Sequence, residues 1–201
     1  MSIQLWYSPA SPFVRKVMVF AHEAGLADSL ELVTGDIWAP DATILKDNPL
    51  GKVPALVTPD GVFPGSYLCC EYLDSKHSGT RLIPADPRER WPVMQLHAFA
   101  DGIIEAGVAS VVEQVRRPKE FVYQGTLDRQ QGKIVGTLNK IATMDLPHTA
   151  NIGSITLGCA LGYIDFRMPK LDWRNGRTAL GQWYETFAQR KSMQATVPRT
   201  A

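Results

Sequence analysis

The chain has 201 residues, of which 45% are hydrophobic and 20% charged, with a formal net charge of +1. These are the values of an ordinary globular protein with enough chain for one or two cores, and so small a net charge leaves no electrostatic footprint for nucleic acid or a membrane surface. No stretch is long and apolar enough to read as a membrane span.

The opening MSIQLWYSP lacks the basic flank and long apolar run of a signal peptide. The three cysteines are Cys69, Cys70 and Cys159, an odd count with two adjacent, which is no disulfide framework. Buried thiols in a reducing cytoplasm are therefore expected. The four histidines, His22, His77, His97 and His148, are scattered, and no His or Cys pair has metal-ligand spacing, so no metal site is expected.

In chain order, Ile3 to Tyr7 is a short apolar run that reads as a first strand. Ser8-Pro9-Ala10-Ser11-Pro12 follows as a loop. Its last two residues carry a helix-start signature, Ser11 at the N-cap and Pro12 at the first helical position. Val14, Val17, Met18, Ala21 and Ala24 recur at helical spacing, and Gly25 ends that helix. Leu30 to Thr34 reads as a second strand, completing a parallel βαβ unit. Asp36 to Lys46 is irregular and then helical, and Asn48-Pro49-Leu50-Gly51 breaks it.

Gly51 to Leu56 and Val62 onward are two short apolar runs joined by Val57-Thr58-Pro59-Asp60-Gly61. The Pro-Asp-Gly core supplies the fixed φ and the positive-φ tolerance of a tight hairpin. A helix opens at Ser66, with Ser66 as N-cap and Leu68, Cys69, Tyr72 and Leu73 as its apolar face. Ser11, the Gly51-Lys52-Val53-Pro54 turn and Ser66 are expected to meet in space. The element order is that of a thioredoxin-like α/β domain over residues 1–77, a mixed four-stranded sheet with helices on both faces.

Residues 78–86 read as a polar linker. Asp86-Pro87-Arg88-Glu89 is a strong helix start. Helical runs then cover Pro87 to about Val115, Glu120 to about Met144, Asn151 to Arg167 and Thr178 to Arg190. Residues 87–201 are accordingly expected to form an all-helical bundle domain.

Four segments together resemble the cytosolic glutathione S-transferases, in a serine-type, bacterial-like form. Tyr7 to Val17 (YSPASPFVRKV) resembles the family's first loop and helix. Asn48 to Leu56 (NPLGKVPAL) resembles its NPxGKVPAL turn. Ser66 with Glu71-Tyr72-Leu73 resembles the segment after the hairpin. Gly158 to Asp165, with Trp183-Tyr184 and Arg190-Lys191-Ser192, resembles its last helices.

The resemblance implies a glutathione transferase that conjugates the glutathione thiolate to small hydrophobic electrophiles, a detoxification chemistry, in a cytoplasmic homodimer with glutathione as co-substrate. It implies Ser11 as the catalytic hydroxyl, donating to the glutathione sulfur at a helix N-terminus where an anion is favoured. Read from the residues alone, Ser11 is equally a plain N-cap; Ser8 and then Tyr7 are the alternatives on the same loop.

It also implies a cis Pro54, presenting the Val53 backbone to the cysteinyl backbone of glutathione. Lys52 then lies beside the glycyl carboxylate, or is simply a solvated turn lysine. Ser66 holds the γ-glutamyl carboxylate, and Phe13, Ile104, Val108 and Val111 either line the electrophile site or are core.

Two departures stand out. Gly65 occupies the position before Ser66 where the family has Glu or Asp to attract the γ-glutamyl ammonium. Asp101 or Glu105 of the partner subunit are candidates to replace it. At Asn151-Ile152-Gly153-Ser154 the family has Ser or Thr followed three residues later by Asp. Here Asn151 can still cap, but Ser154 is shorter and neutral, so a less firmly held helix start is expected. Two other functions fit the same scaffold: a glutathione-dependent isomerase or lyase, and a non-catalytic glutathione-transferase-like binding module, which Gly65 favours.

Overall fold

The computed structural model describes residues 3–200. The chain divides into two compact units, one running to Ala85 and resuming at Lys191, the other Asp86–Arg190.

The first unit is built on four short strands. β1 (Ile3–Trp6) lies between β2 (Leu30–Val33) and β3 (Ala55–Thr58), with β4 (Gly61–Pro64) at the far edge, giving the order β2-β1-β3-β4. β1 and β2 are parallel, and β1–β3 and β3–β4 are antiparallel. α1 (Pro12–Glu23) makes the parallel crossover and buries Val14, Val17, Phe20 and Ala21. α2 (Ser66–Asp74) packs beside α1 through Cys69, Cys70 and Leu73. This is the thioredoxin-like order expected, with one difference: the helix foreseen before Lys46 is a single 3-10 turn at Thr43–Lys46. Only Ile44 of that turn is buried, so packing gives no reason for a longer helix.

The hairpin between β3 and β4 turns at Pro59-Asp60. The Thr58 hydroxyl donates to the Gly61 carbonyl (2.9 Å) and accepts the Asp60 N–H (3.1 Å). Gly61 has φ +124°, which only glycine adopts without strain.

The stretch after α2 is not a free linker. Asp74 is buried, and its carboxylate accepts the backbone N–H groups of Leu82 (2.9 Å) and Ile83 (3.3 Å) and contacts His77 Nε2 (3.1 Å). Leu82 and Ile83 are buried as a result.

The second unit is helical: α3 (Pro87–Arg116), α4 (Gln124–Ile141), α5 (Ile152–Arg167) and α6 (Thr178–Phe187). Asp86 caps α3, its carboxylate accepting the Arg88 N–H at 2.7 Å. α5 is buried continuously from Ile152 to Ile164, the signature of a helix that is apolar all round and forms a core. It packs chiefly on α3, and the approach is close at two glycines. A Cβ on Gly153 would lie 2.7 Å from the Val93 carbonyl oxygen, and one on Gly107 would lie 3.2 Å from the Tyr163 ring.

At the start of α5 the capping box forms in full despite its altered residues. Asn151 Oδ1 accepts the Ser154 N–H (3.0 Å), and Ser154 Oγ accepts the Asn151 N–H (2.9 Å). Ser154 is fully buried, and its hydroxyl proton reaches the Thr149 or Asn151 carbonyl. The shorter, neutral Ser154 thus satisfies both partners of the box.

The all-helical expectation ran to residue 201. Residues from Lys191 on pack with the first unit instead, where α7 (Lys191–Ala195) lies on α1. Ser192 and Met193 are buried there, and the buried Arg15 guanidinium donates from Nη2 to the Met193 carbonyl (3.2 Å).

Candidate active site

Sheet topology brings the expected site segments to one edge. β3 runs antiparallel to β1 with Leu5 opposite Leu56, and β4 runs antiparallel to β3 with Ala55 opposite Pro64. The end of β1, the start of β3 and the end of β4 therefore lie along the same edge of the sheet. From that edge leave the loop carrying Tyr7, Ser8 and Ser11, the turn carrying Lys52, Val53 and Pro54, and the pair Gly65-Ser66.

Ser11 is the N-cap of α1, a 12-residue helix with Pro12 at its start. It has extended backbone (φ −83°, ψ 120°), and its Oγ accepts the Val14 N–H at 3.3 Å. That bond uses a lone pair and leaves the hydroxyl proton free to donate. Capping and donating to a ligand are thus compatible roles for one oxygen. The loop is shaped by the Tyr7 N–H on the Val33 carbonyl (2.8 Å) and the Ser11 N–H on the Ser8 carbonyl (3.2 Å).

The second segment is held by Asn48, the first residue of the NPLGKVPAL stretch. Asn48 is 1% exposed, and its Nδ2 donates to the Lys52 carbonyl at 2.7 Å. Its Oδ1 accepts the Leu50 N–H (3.1 Å), and its carbonyl accepts the Gly51 N–H (3.0 Å). An Asx-type turn explains why Asn, and no apolar residue, stands here. Gly51 has φ +61°. The Val53–Pro54 bond is cis, as expected. Lys52 is exposed. Among the described residues, neither backbone group of Val53 is engaged in a hydrogen bond.

The third segment begins with Gly65, whose N–H donates to the Pro54 carbonyl (3.0 Å) and whose φ is +86°. Gly65, not Ser66, is the N-cap of α2, which corrects the sequence reading by one position: Ser66 is the first helical residue. Gly65 has no side chain to cap with, so the first-turn N–H groups are not satisfied by it. Ser66 is 7% exposed, and among the described residues its hydroxyl has no partner.

Cys69, one turn further on, is inert. Its thiol donates to the Phe63 carbonyl (3.2 Å), and burial pushes its pKa up to about 12. Such a thiol stays protonated and is no nucleophile. Of the residues named for the electrophile site, Ile104 is fully buried core, while Phe13, Val108 and Val111 are half-buried. Glu105 is exposed on α3 and Asp101 half-buried. Among the described residues no group of His, Cys, Asp and Glu is arranged to hold a metal ion, and no helix is long and apolar enough to cross a membrane.

The first unit is thus a thioredoxin-like sheet with a cis-proline turn and two helix N-termini at one edge, and a helical unit follows it. Comparison with known proteins identifies the chain's relatives. Residues 10–76 match the family profile "Glutathione S-transferase, N-terminal domain". The chain is 34% identical to the uncharacterized GST-like protein YibF of Escherichia coli (strain K12), over 96% of this chain and 98% of that protein.

Among solved structures, a glutathione transferase family member from Pseudomonas fluorescens Pf-5, with bound glutathione, is 40% identical. It has a TM-score of 0.94 over 99% of this chain and 100% of that one. A glutathione S-transferase from Methylobacillus flagellatus KT, with GSH bound, is 31% identical with a TM-score of 0.89, over 98% and 100% of the two chains. The chain belongs to the glutathione S-transferase family.

Proposed function

We propose that this protein is a glutathione transferase in which the Ser11 hydroxyl donates a hydrogen bond to the glutathione sulfur and favours thiolate over thiol. A free thiol near pKa ~8.5 is mostly protonated at neutral pH and attacks electrophiles slowly. The observation that carries the reading is Ser11 itself, an N-cap whose oxygen accepts from Val14 and whose proton has no acceptor among the described residues. The helix end behind it adds partial positive charge. Hydrogen bonds to the charged form and a nearby positive potential both lower a thiol's pKa.

The other segments bind the tripeptide. The free N–H and C=O of Val53, before Pro54, pair with the cysteinyl backbone as a short antiparallel contact. Lys52 faces the glycyl carboxylate. The Ser66 hydroxyl and N–H, at the N-terminus of α2, take the γ-glutamyl carboxylate. The relatives from Pseudomonas fluorescens and Methylobacillus flagellatus were solved with glutathione bound, which supports the ligand. The sulfur then adds to a small hydrophobic electrophile. A cytoplasmic homodimer is part of the same proposal, supported by the family likeness alone.

Gly65 favours a second reading. Where the family has an acid, this chain has no side chain, and loss of a charge-assisted contact of about 1.5–3 kcal/mol weakens glutathione by about ten- to a hundredfold. A non-catalytic module, or an isomerase in which the sulfur adds and leaves again, uses the same frame. Turnover of a chloronitroaromatic acceptor distinguishes them. Activity lost in Ser11→Ala and kept in Ser8→Ala supports the transferase with Ser11 in the role. The reverse pattern moves the role to Ser8. No turnover, together with no retention on a glutathione resin, leaves the binding module.

A further inference from the structure

The segment from Lys191 on returns to α1 and is tied along its whole length. At the far end of the helix, the Ser192 hydroxyl donates to the Glu23 carboxylate. In its first turn, Arg15 donates to the Met193 carbonyl (3.2 Å). Thr196 turns the segment, its hydroxyl donating to the Ser192 carbonyl (2.8 Å). At the near end, the Arg199 N–H donates to the Pro9 carbonyl (3.3 Å). Pro9 sits between Ser8 and Ser11 and has no N–H of its own, so its carbonyl is the loop's backbone handle at that point.

We propose that residues 191–199 are a brace that sets the Ser11 loop, with Arg199 as a positioning residue acting through its N–H on Pro9. The inference rests on the reading that Ser11 donates to the glutathione sulfur. A hydrogen bond to a thiolate depends steeply on distance and angle, so a loop released from its brace stabilises the thiolate less. The glutathione contacts at Val53 and Ser66 leave the sheet from other strands and do not depend on Pro9.

The test separates those effects. Arg199→Pro removes the N–H donor. Thr200→Pro places the same ring one residue on, where the N–H has no partner among the described residues. The ionisation of enzyme-bound glutathione is followed by thiolate absorbance against pH. KM for glutathione and the melting temperature are measured beside it.

The account expects Arg199→Pro to raise the bound thiol's pKa by about 0.3–1 unit and to lower kcat about two- to tenfold, the effect of one weakened hydrogen bond. KM and melting temperature stay near wild type, and Thr200→Pro behaves as wild type. An Arg199→Pro profile that overlays the wild type overturns the brace, as does an equal shift in both variants. A wild-type protein that binds glutathione without ionising it overturns the Ser11 reading instead.

Discussion

The side-chain amide of Asn48 donates to the Lys52 carbonyl at 2.7 Å, closing from within the turn that presents Val53. Asn48 is buried, and its amide makes two bonds to this turn, the second accepting the Leu50 N–H at 3.1 Å. Asn48→Ala is expected to cost about 1–3 kcal/mol of stability, the loss of two hydrogen bonds of about 0.5–1.5 kcal/mol each. Glutathione KM should rise more than kcat falls, because the residue shapes a binding segment and not the sulfur's partner. Denaturant unfolding and steady-state kinetics on one preparation check both halves.

At Gly65 the backbone, not space, restricts the side chain. Its φ is +86°, and a Cβ there would meet nothing within 4 Å. Gly65→Ala should destabilise by about 1–3 kcal/mol through backbone strain alone. Gly65→Glu should lose as much stability, yet bind glutathione about tenfold or more tighter than Gly65→Ala, since it restores an acid beside the γ-glutamyl ammonium. Calorimetric titration of the two variants decides it. Equal affinities would show that position 65 does not face the ligand.

Close packing in the helical unit predicts a second stability cost. The Cβ of Gly153→Ala would sit 2.7 Å from a backbone oxygen of α3, which cannot swing aside as a side chain would. Overpacking of this kind costs about 1–3 kcal/mol, and thermal unfolding should show it as roughly 2–4 °C per kcal/mol. Ser154→Ala, which dismantles the capping box, should cost about 0.5–2 kcal/mol.

Acid sensitivity follows from Asp165. Burial raises its pKa, but the Arg174 fork (2.7 and 2.8 Å) and the Trp173 indole N–H (2.7 Å) outweigh burial and hold the carboxyl below its usual value. A depressed folded-state pKa means stability that is complete above the unfolded value of about 3.9 and lost as pH falls through the folded one. Unfolding free energy should therefore decline below about pH 4, and Asp165→Asn should flatten that limb relative to its own neutral-pH stability. A pH series of denaturant curves for both proteins makes the comparison.

Much of this was legible in residue order. Ser11-Pro12 announced a helix start because capping is local chemistry, and the hairpin at Pro59-Asp60-Gly61 declared itself for the same reason. The NPLGKVPAL stretch carried the cis bond through family likeness.

What escaped was tertiary. α7 is five residues with no periodic face, and it is tied to the first unit by residues distant in sequence, Glu23 and Arg15, the latter 178 positions before Met193. Asn48 looked like a breaker because its partner, the Lys52 carbonyl, is a backbone atom that no motif spells out. Ser66 was placed one position early because the cap beside it is a glycine held by the Pro54 carbonyl.

The central claim concerns the sulfur, and it is tested most directly by the pKa of glutathione's thiol in the complex, read from thiolate absorbance against pH in wild type and Ser11→Ala. That variant also loses an N-cap worth about 1 kcal/mol, so its fold is verified first. The account predicts a wild-type value well below the free thiol's ~8.5, with Ser11→Ala returning most of the way toward it while still binding glutathione. A bound thiol that ionises as it does in water, or equally in both proteins, would contradict it.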